Sequence, residues 1–259
     1  MSDERYKYDP SLAAAVIFIV CFGLSGIYHV FQVVRLKSWY FIPFIVGCLV
    51  EVIGYVGRAL NATEKSGQWT QGPYIIQALL LLLGPPFYAA SIYMVLGRLI
   101  RLLDAEKYSM VKLKWLTKFF LLGDIASILG QGAGLAIQII FFTFFVIIAI
   151  TFDKRIRREP TKASLAITSP WKKLLQVLYG SSALILVRSV FRVVEYVLGK
   201  DGELMAKEVY IYIFDATMML LVTISFNIFH PSAIINKKNK RNSGIPSSDV
   251  ELNAVAYTG

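Results

Sequence analysis

The sequence predicts an all-α fold, a polytopic transmembrane helical bundle of seven spans, and three observations carry that prediction. Of its 259 residues, 56% are hydrophobic and 17% charged, whereas soluble domains are about 45–50% apolar and about 25% charged. The apolar residues come in blocks, 12–34, 39–56, 74–96, 116–152, 174–198 and 209–229, and about 20 such residues cross a hydrocarbon core of about 30 Å as a helix. The blocks lack the period of two that a transmembrane barrel would show.

Each block can be justified in order. The first follows an acidic tail (Asp3, Glu4, Asp9) with no basic n-region, so it is expected to stay as a span, with residues 1–11 as an extracellular tail. In the second, Gly47, Glu51, Gly54 and Arg58 recur at i, i+4, i+7 and i+11, which is one helical face. The third contains Gly84-Pro85-Pro86, expected to kink the helix. In the sixth, Arg188, Arg192 and Glu195 share a face; the seventh carries Asp215 near one end and Asn227 with His230-Pro231 near the other. Residues 12–235 thus form the transmembrane domain, and 236–259 are expected to be a disordered cytosolic tail.

Loop charges set the orientation. With the N-terminus outside and the C-terminus in the cytosol, 19 Lys and Arg fall on the cytosolic side and 6 outside, the bias that the positive-inside rule requires. The rule also acts on the long block 116–152. The loops on either side of it are both strongly basic, so the chain must cross twice, or dip and return, within 37 residues. Breaking it at Gly130-Gln131-Gly132-Ala133-Gly134 leaves arms of 14 and 18 residues, roughly 21 and 27 Å long. The fourth and fifth spans are therefore expected to be shortened, or to form a re-entrant hairpin.

Composition excludes several classes. The +10 charge lies in short loops, where topology explains it and nucleic acid is not needed. Two histidines and two cysteines offer no metal-ligand spacing. There is no glycine-rich loop ending in Gly-Lys-Ser/Thr, so no nucleotide or other cofactor is expected, and no nucleophile motif points to an enzyme. The sequon Asn61-Ala62-Thr63 falls in a loop assigned outside, a candidate glycosylation site.

Charges at membrane depth cost about 2.5–3.5 kcal/mol each and mark functional paths. Here they are Glu51, Asp124, Arg188, Arg192, Glu195 and Asp215; Asp124, Ser127 and Gln131 share a face at i, i+3 and i+7. Each set occupies one stripe, so each helix can turn it inward and leave Leu, Ile and Val to lipid. Interhelical ion pairs that only fix the packing, or a polar path through the bundle, are both consistent with this pattern.

The motifs also resemble a family. Glu51-Val52-Ile53-Gly54-Tyr55-Val56-Gly57-Arg58, the Leu83-Gly84-Pro85-Pro86 stretch, Asp124 with Gln131, Arg188-Ser189-Val190-Phe191-Arg192-Val193-Val194-Glu195-Tyr196, and Phe214-Asp215-Ala216 through His230-Pro231 are similar to the fungal lipid-translocating exporters. The resemblance runs from residue 8 to 231. It implies seven spans, resistance to toxic sterol analogues and export of sphingoid long-chain bases, with membrane lipids, long-chain bases or sterol-like amphiphiles as ligands, at the plasma membrane. Glu51, Asp124, Gln131, Arg188, Arg192, Glu195 and Asp215 are the candidate binding residues. A seven-span sensor that regulates lipid traffic without moving lipid is the alternative. Relative to the family, the chain lacks a loop and helix-forming residues where Gly134-Leu135 runs into Ala136-Ile137-Gln138.

Overall fold

A computed structural model of the chain describes residues 8–66, 68–111, 115, 122, 131–167, 171–198 and 207–235, whose regular structure is helical throughout. Six helices among them are long and apolar enough to cross a membrane. They are α1 (Leu12–Leu36), the stretch Trp39–Ala62 made of a 3₁₀ turn and α2 (Ile42–Ala62), α3 (Gln71–Leu102), α4 (Gln131–Arg158), α6 (Trp171–Leu198) and α7 (Glu208–Ile228). Two short helices, α5 (Lys162–Ala166) and α8 (Ser232–Ile235), lie at the ends of the spans.

Local chemistry sets several ends. The Ser11 hydroxyl caps α1 by accepting from the Ala14 amide at 3.3 Å. Lys37 closes the same helix in the left-handed region (φ 50°) and donates to the carbonyls of Val33 and Val34. Pro43 enters α2 within its first turn, where its missing N–H costs nothing.

The helices α1, α2, α3, α6 and α7 pack in a closed ring, each against the next and α7 back against α1; α4 lies outside it, against α6 and the edge of α3. The most extensive seam is between α2 and α3, and the α2 stripe predicted from sequence lies along it. Gly47, Glu51, Gly54 and Arg58 are all buried. A Cβ on Gly47 would stand 2.7 Å from the Tyr88 ring, and one on Gly57 would stand 2.8 Å from the Pro73 carbonyl oxygen. Without a hydrophobic drive between helices in lipid, such close backbone approach is what holds spans together. The opposite faces are lipid-facing in character: along α1, Ile17, Leu24 and Ile27 are exposed.

Contacts between helix ends give each span a direction. The start of α1 meets the start of α7 through the Ser11 amide, which donates to Glu208 at 2.9 Å, and the end of α2 joins them through Arg58. At the other end, the Gln32 amide of α1 donates to the Asn227 carbonyl at 2.9 Å. The Arg98 guanidinium of α3 lies 4.1 Å from the Tyr40 ring centroid, and the Tyr40 hydroxyl is 3.0 Å from that of Ser232. The Thr161 hydroxyl, just past α4, donates to the Leu103 carbonyl, just past α3, at 2.5 Å. Hence α3 and α4 run in the same direction and end side by side. That shared end also holds His230, whose ring burial pulls its pKa down to about 4 and keeps neutral.

One expectation is corrected. The arm after the glycines is longer than expected: α4 begins at Gln131, inside the stretch where the break was placed, and continues to Arg158, with Ala136–Arg158 long and apolar enough to cross a membrane. Glycine costs about 1 kcal/mol in a helix, less than leaving backbone N–H and C=O groups unpaired in lipid. The predicted fourth span, with Asp124, lies outside the described residues, as do the tails 1–7 and 236–259. Of the tryptophans, Trp39 and Trp115 are exposed, whereas Trp69 and Trp171 are buried in the protein.

Candidate functional site

The ring encloses an ionic cluster to which α6, α7, α3 and α2 contribute. The spacing of Arg188 and Arg192 puts both guanidiniums on the α6 face that meets α7. Opposite them, residues Tyr212–Thr217 of α7 are wound as a π-helix. Such segments insert a residue into an α-helix, often at functional sites. Here the π turn, held in part by the Thr217 hydroxyl donating to the Tyr212 carbonyl at 2.8 Å, carries Asp215. Its Oδ1 accepts from Arg188 Nε at 2.5 Å, and its Oδ2 accepts from Arg192 Nη2. Arg192 also donates through Nη1 to Glu195 at 3.0 Å. One carboxylate thus holds two arginines, using the planar fork that makes Arg suited to such pairs.

The third contribution comes from α3 and depends on a proline. In an α-helix the N–H of residue 85 would bond to the carbonyl of residue 81. Pro85 has no N–H, so the Leu81 carbonyl is left for another donor, and Arg188 Nη2 donates to it at 2.5 Å. Pro85 therefore does more than shape the helix: it opens a backbone acceptor within α3, at Leu81, for an arginine 107 residues away.

Glu51 approaches the same turn of α3 from α2. Its carboxyl lies against Gly84, where a Cβ would collide with Oε1 and stand 2.9 Å from Cδ. The side chain is 2% exposed. It forms no ion pair among the described residues, and its Oε1 has no hydrogen-bond partner among them. The same holds for the Tyr55 hydroxyl, Arg188 Nη1 and Arg192 Nε. Buried polar atoms are almost always bonded; these four are among several buried polar atoms without a hydrogen-bond partner among the described residues.

A second polar cluster at the α1 start was only partly legible in the sequence. Arg58, fully buried, donates to the Tyr212 hydroxyl at 2.9 Å, the Tyr8 hydroxyl at 3.0 Å and Glu208 at 2.7 Å. Glu208 also accepts twice from the Ser11 amide. Burial holds the Tyr8 phenol above its usual pKa, so it remains neutral. The Tyr212 ring stacks on Phe18, 3° from parallel at 5.4 Å. Sequence reasoning placed Arg58 on the polar stripe of the second span but missed Tyr8, Tyr212 and Glu208. No periodicity links residues 150 positions apart.

The predicted site residues therefore divide. Arg188, Arg192, Glu195 and Asp215 come together, and Glu51 lies against the same α3 turn. Asp124 is outside the described residues, and of Gln131 the structure gives only its place at the start of α4. Asn61, the candidate glycosylation residue, lies in the last turn of α2 and is fully buried.

A family model described as "RTA1 like protein" matches residues 44–134 and 132–238. The two pieces meet at 132–134, in the stretch where the loop charges leave too few residues. The chain is 34% identical to "Protein RTA1" of Saccharomyces cerevisiae, over 97% of this chain and 95% of that protein. It is 32% identical to the "Protoporphyrin uptake protein 1" of the same organism, over 86% and 90%. To a "Sphingoid long-chain base transporter RSB1" of S. cerevisiae it is 26% identical, over 86% and 72%. No solved structure matches. The matched stretches include every part of the ionic cluster on α2, α3, α6 and α7, and the chain belongs to the RTA1-like family of multi-pass membrane proteins.

Proposed function

We propose that this protein translocates an amphipathic amine of the sphingoid long-chain base class, with Glu51 receiving the ammonium group. The observation that carries the reading is the division of labour among the carboxylates. Asp215 is taken up by two arginines and Glu195 by one, whereas Glu51 is buried with Oε1 unpartnered. A cation entering the ring would find its counter-charge there, and the fixed Arg188–Asp215–Arg192 group would supply a rigid polar wall. The relatives named as a sphingoid long-chain base transporter and a "Probable lipid transporter atnI" support the substrate class. Asp124 and Gln131 extend the same polar path by their sequence spacing.

The topology belongs to this reading. Parallel α3 and α4 that end side by side are what seven crossings require, and the basic residues at that end, Arg98, Arg101, Arg155 and Arg157 among them, support placing it in the cytosol. The N-terminus is then outside, in the plasma membrane.

The test is reconstitution of the purified protein with a fluorescent long-chain base followed between leaflets. The wild type is expected to accelerate transfer over empty liposomes, and Glu51→Gln is expected to return it to the empty-liposome rate while keeping its melting temperature within a few degrees. No acceleration by the wild type would favour a sensor that governs lipid traffic without moving lipid. Pro85→Ala addresses the α3 turn. It restores an N–H that competes with Arg188 for the Leu81 carbonyl and removes a proline penalty of about 3 kcal/mol. Transfer is expected to fall severalfold while thermal stability holds or rises; unchanged transfer would show that the Arg188–Leu81 bond is not needed for movement.

A further inference from the structure

Away from the ring, at the end where α3 and α4 finish, a cleft of about 700 Å³ opens between the last turns of α4, the short helix α5 and the first turn of α6. We infer that this cleft binds the headgroup of an anionic phospholipid from the surrounding leaflet. The inference rests on the placement of that end at the cytosolic surface, but not on which substrate the ring carries.

Three cations line the cleft: Arg157, Lys172 and Lys173. Both lysines are exposed. Arg157 pairs with Asp153 through Nε at 2.7 Å, which fixes the guanidinium plane and leaves both Nη groups for a phosphate. Asp153 is thus neutralised by a residue of its own helix. The other acid nearby, Glu159, accepts from the Tyr108 hydroxyl at 3.2 Å. The balance in the cleft is cationic.

The apolar residues show where the ligand comes from. Leu165 of α5 is 76% exposed, while the neighbouring Ser164 is buried, so the short helix turns a large apolar side chain outward at the edge of a basic cleft. Ile167 and Trp171 continue that wall, and the Lys172 ammonium sits 5.7 Å from the Trp171 ring centroid. Cations beside an outward leucine and an indole, at the ends of two membrane-crossing helices, match a molecule with a phosphate at the water boundary and an acyl chain beside it. A soluble phosphate has no use for Leu165. A headgroup also fits the volume, since small-molecule sites run from about 300 to 1,000 Å³.

The test uses the purified full-length chain in nanodiscs of phosphatidylcholine carrying a trace of fluorescent phosphatidylserine, with binding read by energy transfer from the protein. Lys172→Gln/Lys173→Gln is expected to weaken binding about thirtyfold, on the scale of about 1 kcal/mol per basic residue near an anionic surface. Arg35→Gln/Arg101→Gln removes the same charge from exposed positions at the same end, and is expected to change binding less than twofold. Leu165→Ser is expected to weaken phosphatidylserine and leave competition by soluble glycerophosphoserine unchanged. Equal losses in both double variants would overturn the site in favour of general surface charge. So would fluorescent phosphatidylcholine binding as well as phosphatidylserine, or full displacement by inorganic phosphate at equal potency. Should the double variant elute as aggregate, Arg157→Gln is read by the same criteria. Glu51→Gln should bind phosphatidylserine normally, so that loss of transfer and loss of this site are separable.

Discussion

Replacing Asp215 by asparagine is expected to be the most destabilising single change in the bundle. The side chain is isosteric, so packing is kept while the charge that holds Arg188 and Arg192 is lost. Two guanidiniums would then remain inside the ring with only the Leu81 carbonyl and Glu195 for partners. Breaking a buried pair by removing one partner costs about 3–5 kcal/mol, a large share of a total stability of about 5–15 kcal/mol. The expected result is that little protein reaches the membrane, and that what is extracted elutes as aggregate on size-exclusion chromatography. The control is charge-balanced. Asp215→Asn with Arg188→Met and Arg192→Met removes the whole group, and since apolar replacement of buried ion networks is often neutral or stabilising, expression should recover. Transfer of long-chain base should not recover, because the polar wall is gone. If Asp215→Asn alone expresses and melts like the wild type, the cluster has little part in holding the helices together.

The second large effect is expected at Arg58. A lysine keeps the charge but offers one compact ammonium where the guanidinium serves Tyr8, Tyr212 and Glu208 from fixed directions. Hydrogen bonds to charged groups contribute about 1.5–3 kcal/mol each, so Arg58→Lys should cost roughly 3 kcal/mol and lower the melting temperature by several degrees. The loss has a signature that general destabilisation lacks. Arg58 joins the chain before α1 to the start of α7, so residues around Tyr8 to Ser11 should become sensitive to protease added on that side while the loops at the other end stay protected. Tyr8→Phe should reproduce a small part of the protease sensitivity with almost no change in melting temperature. Uniform cleavage at both ends would indicate that Arg58 supports the bundle as a whole.

Much of this protein could be read from its sequence, and the part that could be read has one physical origin. Lipid offers no partner for a backbone amide and no solvation for a charge, so the chain must be helical across the membrane and its polar residues must fall on inward stripes. That constraint acts on each helix separately, through spacings of three, four and seven. It is therefore legible at Gly47, Glu51, Gly54 and Arg58, and at Arg188, Arg192 and Glu195. The break expected at Gly130–Gly134 falls where the described residues resume, with α4 beginning at Gln131 inside that stretch.

What one helix requires of another could not be read in this way. Only the tertiary structure decided that Asp215, rather than Glu51 or Glu195, would take both arginines, because the choice depends on how α6 faces the π turn of α7. Only it showed that Pro85 frees a carbonyl for Arg188, since the proline and the arginine are 103 positions apart and neither spacing nor composition connects them. The sequence by itself determined which residues must leave the lipid. Their partners were decided by helix directions and rotations, which depend on close backbone contacts such as those of Gly47, Gly54 and Gly57 with α3, and such contacts exist only once the helices have met.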